Sequence, residues 1–146
     1  MKKILYIKII LIYVFLVSKS FGVESNFFIE GKKYFEKKNF TDSKIFFERE
    51  IVFNPESEKS YLYLAKIFYE NENDEEQEIN LNNTLLINPN NDEAIYMLIL
   101  LKIKQSDYKV AKKLIDKFYL VCSSFCKKKD EIQDKFKKLN PENDKN

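Results

Sequence analysis

Two short phrases fix the frame of this chain: Phe53-Asn54-Pro55 and Ile87-Asn88-Pro89, apolar-Asn-Pro triplets whose prolines stand 34 residues apart. Each closes one helical pattern of apolar residues and precedes another. Proline cannot donate a backbone hydrogen bond and disfavours helical conformation in the residue before it, so each triplet marks a helix stop. A fixed period of this length signals stacked repeats, in which each unit leaves an apolar face bare until a neighbour covers it. The composition fits. Apolar residues at 45% and aromatics at 15% supply a core, while two Gly and three Pro offer little for the many tight turns of a sheet-rich fold. We expect an all-α chain of long helices and short connections.

On this period the units run 24–57, 58–91 and 92–125, and here the chain resembles the tetratricopeptide repeat family. In the first unit Phe27, Gly31, Tyr34, Ser43, Phe47 and Pro55 fall where the family places its bulky, small, aromatic and proline residues. Tyr61, Leu64, Ala65, Phe68, Leu81 and Pro89 do so in the second, and Ile95, Leu98, Ala111 and Ile115 in the third, where Phe118 and Val121 continue the apolar face. The resemblance implies an α-α superhelix, or solenoid, of three helix-turn-helix repeats. Gly31 and Ala65 leave room for a bulky side chain from the second helix, and polar turns at Lys38-Asn39, Asn71-Glu72-Asn73 and Ser106-Asp107 join the helices of each unit. The sequence departs from the family at Glu50, Thr84 and Phe118, at Gln77 and at Ile99, so altered packing is expected there, chiefly in the third unit. Residues 126–139 read as a capping helix, with Ile132, Phe136 and Leu139 at helical spacing among charges, and 140–146 as a frayed tail.

In the family the first helix of each repeat lines a concave groove that holds a peptide or helix. Carried over position by position, the lining includes Phe28, Lys32 and Phe35 from the first unit, Leu62, Tyr63, Lys66 and Tyr69 from the second, and Tyr96 and Leu100 from the third. Large rings are common anchors of binding surfaces, although any one of these could instead pack between repeats. A subclass of the family clamps a C-terminal carboxylate with Lys, Asn and Arg. Here the clamp positions hold Phe28 and Lys32, Tyr63, then Glu93 and Met97, so only Lys32 could help and an apolar or aromatic segment is the expected ligand.

The first 22 residues form a separate unit. Lys2 and Lys3 precede an apolar run from Ile4 to Val17, broken only by Lys8, and small residues Ser20 and Gly22 follow. This is the order of a secretory signal peptide, with Val23 as the first mature residue; an uncleaved N-terminal membrane anchor is the alternative. Either way the helical domain, 23–139, is expected to be exported, to the periplasm and cell envelope or to the medium. Loss of the segment removes four lysines and no acid, which turns the net charge of +2 negative. A nucleic-acid partner is therefore not expected. Within the remainder charges are sorted: acids without Lys or Arg from Glu70 to Glu93, and mostly lysine from Lys102 to Lys138. Solvated faces, or a weak salt-dependent contact with an acidic partner, both fit that distribution.

Catalysis has little to work with. The chain has no His, which removes the commonest general base and transition-metal ligand, and it has no phosphate-cradling glycine loop. Cys122 and Cys126, at the junction of the last repeat and the cap, are candidates for a disulfide in an exported protein, provided a turn separates them; two free thiols are the alternative. Their spacing is not that of a redox pair, and two thiols without His make a poor zinc site, so a thiol-based enzyme is the remote alternative and neither metal, cofactor nor small-molecule ligand is expected. The expected function is a non-enzymatic scaffold or adaptor of the cell envelope, with a membrane-tethered assembly subunit as the second reading.

Overall fold

The computed structural model describes residues 25–139; the segment read as an export signal and the tail 140–146 lie outside them. Seven α-helices follow in order: α1 (Asn26–Glu36), α2 (Phe40–Phe53), α3 (Glu58–Glu70), α4 (Asp74–Ile87), α5 (Asp92–Lys104), α6 (Tyr108–Val121) and α7 (Lys129–Leu139), the last preceded by a 3₁₀ turn, Cys126–Lys128. No strand occurs among the described residues. Two helices fall in each 34-residue unit, and the units stack in series. α2 packs against α1 and α3, α4 against α3 and α5, and α6 against α5 and α7. The cap is not one continuous helix from residue 126, as the sequence suggests. Phe125, held by the Asp92 carboxylate, accepts from the Lys128 amide at 2.8 Å, and this tight bond winds residues 126–128 as a 3₁₀ turn before α7 begins.

The turn inside each repeat is built the same way three times. Lys38, Glu72 and Ser106, 34 residues apart, all take left-handed backbone with φ of 57°, 55° and 60°. The next residue then donates its amide to a carbonyl five residues back: Asn39 to Tyr34, Asn73 to Phe68 and Asp107 to Lys102, at 2.9 to 3.0 Å. That is the Schellman ending of a helix. The same Asn39, Asn73 and Asp107 start the following helix, their side chains accepting from the amides of Asp42, Glu76 and Val110. One residue thus stops one helix and starts the next, which keeps the turn short and its geometry fixed. Glycine normally takes the left-handed position, and its absence here leaves the turn invisible to a glycine search.

The core is a chain of three clusters, each bridging consecutive units. Phe28, Phe47, Leu64, Ile67 and Phe68 join units one and two. Leu62, Ala65, Leu81, Ala94, Leu98 and Leu101 join two and three. Ile95, Ile99, Ile103, Ala111, Ile115 and Phe118 then meet Ile132 and Phe136 of the cap. The departures from the family pattern are all buried: Glu50, Gln77, Thr84, Ile99 and Phe118 are 0 to 3% exposed. Two of the polar ones, Glu50 and Thr84, find partners. Glu50 accepts from the Ser25 hydroxyl and from the Asn54 amide group, and the Thr84 hydroxyl donates to the Asn80 carbonyl.

Paired positions across each repeat trade size. Gly31 faces Phe47 in the first, Ala65 shares a cluster with Leu81 in the second, and Ile99 shares one with Ile115 in the third. A Cβ on Gly31 would lie 2.8 Å from Cε1 of the Phe47 ring, and that ring is fully buried. Gly31 does not have positive φ, so it is glycine for space alone. Gly31→Ala should therefore destabilise the chain by about 1–2 kcal/mol in urea unfolding, overpacking outweighing the helix-propensity gain of roughly 1 kcal/mol. The double variant Gly31→Ala, Phe47→Leu should recover part of that loss relative to Phe47→Leu alone, and a stabilising Gly31→Ala would contradict the account.

Candidate functional site

The first helices stand in a row, stitched to one another by side chains. Tyr63 of α3 is the centre of the first seam: its ring stacks on Phe47 at 4.9 Å and meets Phe35 and Phe28 edge-on at 5.1 and 5.8 Å. Lys66, one turn along α3, lies over that ring at 4.8 Å and bridges to Glu93 of α5 at 2.8 Å. Tyr96 of α5 continues the series to the cap, donating its hydroxyl to the Glu131 carboxylate at 2.9 Å and packing against Phe125 at 5.7 Å and Phe118 at 6.5 Å.

The structure separates the groove residues read from the sequence into three groups. Phe28 and Leu62 are 3% and 7% exposed and belong to the core, so they support the face from beneath and offer a ligand almost nothing. Phe35, Tyr63 and Tyr96 are half-buried and committed to their neighbours; Phe35 also packs on Phe40 at 5.5 Å. The accessible group comprises Tyr69, 58% exposed, with half-buried Leu100, Lys66 and Lys32. Lys32 sits 5.9 Å from the Phe28 ring centroid and lines a shallow open depression with Ile29, Lys33 and Glu36. Lysines over rings recur along the row, with Lys59 over Phe28 at 5.7 Å and Lys128 over Tyr96 at 5.5 Å, so positive charge sits above rings that the fold has already taken up.

Two carboxylates that the sequence reading passed over close the second and third units. Glu58 and Asp92 each open a first helix, 34 residues apart, and each reaches the turn that closes its own unit. Glu58 accepts from the side-chain amides of Asn88 and Asn91. Asp92 accepts from the backbone amides of Ser123 at 2.7 Å and Phe125 at 2.9 Å. The equal spacing of the two acids was the available signal. Burial acts to raise the Asp92 pKa, but the amides of Phe125, Ser123 and Ser124 outweigh it and hold the carboxyl below its ordinary value. Glu131 is held low too, at about 2 against an ordinary 4.5, first by its bond to Lys128 and, against the effect of burial, also by Lys135 and Tyr96. Burial and the Glu131 bond in turn raise the Tyr96 phenol.

Cys122 and Cys126 are bonded, their Cα atoms 5.2 Å apart, across the non-helical stretch between α6 and the 3₁₀ turn. The bond lies beside the Asp92 clasp, so the junction to the cap is tied twice. Among the described residues no group of three or more His, Cys, Asp or Glu side chains is placed to hold a metal ion, and no helix is long and apolar enough to cross a membrane.

No family model matches the chain, and no curated protein does. Solved structures are similar. The first tetratricopeptide domain of Spaghetti (RPAP3), bound to the HSP90 peptide SRMEEVD, superposes with a TM-score of 0.69 at 13% identity, over 77% of this chain and 90% of that one. The CopN-Scc3 complex gives a TM-score of 0.65 at 17% identity, over 74% of this chain and 65% of that one. The helix pairs, their serial stacking and these likenesses define the fold as a tetratricopeptide-type helical solenoid.

The cap contacts carry a pH dependence whose sign follows from the lowered acids. A carboxyl with a depressed folded pKa contributes stability that is complete above its unfolded pKa and fades as pH falls through the folded one. The Glu131 contribution should therefore be intact above about pH 4.5 and lost progressively toward about pH 2. Melting temperature against pH should fall less steeply below pH 4.5 in Glu131→Gln than in the wild type. Parallel curves would mean that the carboxylate contributes nothing to cap docking.

Proposed function

We propose that the chain is a non-enzymatic adaptor of the cell envelope, which holds an apolar or aromatic peptide or helix against the face made by α1, α3 and α5. The observation that carries this reading is the division of labour on that face. Phe28, Phe35, Tyr63 and Tyr96 are occupied within the fold, while Tyr69, 58% exposed, and half-buried Leu100, Lys66 and Lys32 stay accessible. Preformed rigid surfaces with a few accessible anchors bind at low entropic cost. The domain of RPAP3 that shares this fold carries a peptide, which supports the same use of the same architecture here. An acidic C-terminal tail is not the proposed ligand, since the sequence supplies Glu93 and Met97 where the carboxylate clamp of the resemblance needs cations.

Tyr63 and Tyr96 are poor probes of binding because their loss would also disturb the fold. The variant Tyr69→Ala, Leu100→Ala removes accessible area and should keep the wild-type melting temperature within a few degrees. In peptide-display selection the wild type should enrich sequences with paired apolar or aromatic residues, and the double variant should bind those peptides about tenfold more weakly or worse. Equal affinity for both proteins would sink the assignment of this face. Export is proposed on the order of charged, apolar and small residues in 1–22. Mass spectrometry of protein from cells should find Val23 at the N-terminus; retention of Met1 would instead favour the tethered form.

A further inference from the structure

The second helices carry an exposed apolar row that the groove does not use. Val52, Leu86 and Leu120 occupy the same place in α2, α4 and α6, 34 residues apart, and are 75%, 81% and 87% exposed. Ile45 and Ile79, seven residues earlier on α2 and α4 and hence on the same helix face, are 42% and 45% exposed. Large apolar side chains held this far into water at a fixed repeat position are costly unless something covers them. Each second helix packs on the first helix of its own unit and on the next first helix, which leaves this row outward.

The charges on the row say what covers it. α4 carries Asp74, Glu75, Glu76 and Glu78 and no base, whereas α6 carries Lys109, Lys112, Lys113 and Lys117 against the single acid Asp116. The opposition is position for position: Glu75 corresponds to Lys109 and Glu78 to Lys112, in the register that sets Leu86 against Leu120. Glu78 and Asp74 already bridge to Lys102 and Lys104 of α5, whereas among the described residues Lys112 pairs within its own helix, with Asp116 one turn on. A patch whose two halves are complementary to each other fits a second copy of itself about a two-fold axis.

We propose that the chain forms a homodimer through the outer faces of α4 and α6, with the two-fold parallel to these helices. α4 of each copy then lies along α6 of the other. Leu86 packs against the partner's Leu120, and Glu75 and Glu78 approach the partner's Lys109 and Lys112. The binding face on α1, α3 and α5 stays open, so the dimer presents two of them and gains avidity for a repeated or paired ligand.

Sedimentation equilibrium on protein made from the full coding sequence tests this. The wild type should be dimeric at micromolar concentration, with dissociation increasing as salt rises. Leu86→Ser and Leu120→Ser, both at highly exposed sites, should each weaken the dimer by about tenfold or more while leaving the melting curve of the dilute, monomeric protein unchanged. The register is read by cross-linking. Mixed Leu86→Cys and Leu120→Cys proteins should be joined by a short bis-maleimide much faster than either variant alone, the disulfide-bonded Cys122 and Cys126 being inert to it. A wild type that stays monomeric at high concentration would overturn the proposal. So would a dimer indifferent to both serine variants, or one in which Leu86→Cys cross-links to itself as fast as the mixture.

Discussion

The stack of Tyr63 on Phe47 is where one repeat becomes part of the next. Phe47 is fully buried on α2 and can lie there only because Gly31 of α1 has no side chain. Its other side is covered by a ring from α3, at 4.9 Å. A single helix pair of this length cannot bury its apolar face alone, so the seam between pairs supplies much of its stability. Phe28, Phe35 and Leu64 then assemble around that seam, and the row of first helices inherits its alignment from it.

Hydrogen bonds set the register that the rings then fill. Glu58 and Asp92 each reach the turn that ends their own unit, so the second and third units close at a defined length. The last unit has no proline at its end, and there the Asp92 carboxylate and the Cys122–Cys126 bond take over the task of stopping α6 and redirecting the chain into the cap. The cap in turn supplies Glu131 to Tyr96 and Ile132 to the third cluster, so the open end of the stack is both satisfied and covered. Ile99 and Ile115, at positions that the first unit fills with Gly and Phe, show that the pair is tuned by total volume and not by one residue type.

Much of this was legible in the sequence, because a repeat writes each rule more than once. The prolines at 55 and 89 marked two helix ends, and the polar turns at 38, 72 and 106 lay where the helices reverse. The face proposed for binding was less legible. A ring on a first helix can point to solvent, as Tyr69 does, or into the seam, as Tyr63 does, and both satisfy the same apolar periodicity. What decides is the neighbour: Tyr63 meets Phe47 and Phe28, whereas Tyr69 lies at the end of its helix, 58% exposed. The bond from Tyr96 to Glu131 spans 35 residues and depends on where the cap lands, which local pattern does not encode.

The central claim is that the units are locked in series through a ring cluster centred on Tyr63, with that ring spent on the fold and not on a ligand. Nuclear Overhauser spectroscopy on aromatic-labelled protein reads it directly. The account predicts strong cross-peaks from the Tyr63 ring to Phe47, Phe35 and Phe28 in the free protein, and little change in the Tyr63 resonances when a groove peptide shifts those of Tyr69. A Tyr63 ring without those cross-peaks, or one that moves on binding as much as Tyr69, would contradict it.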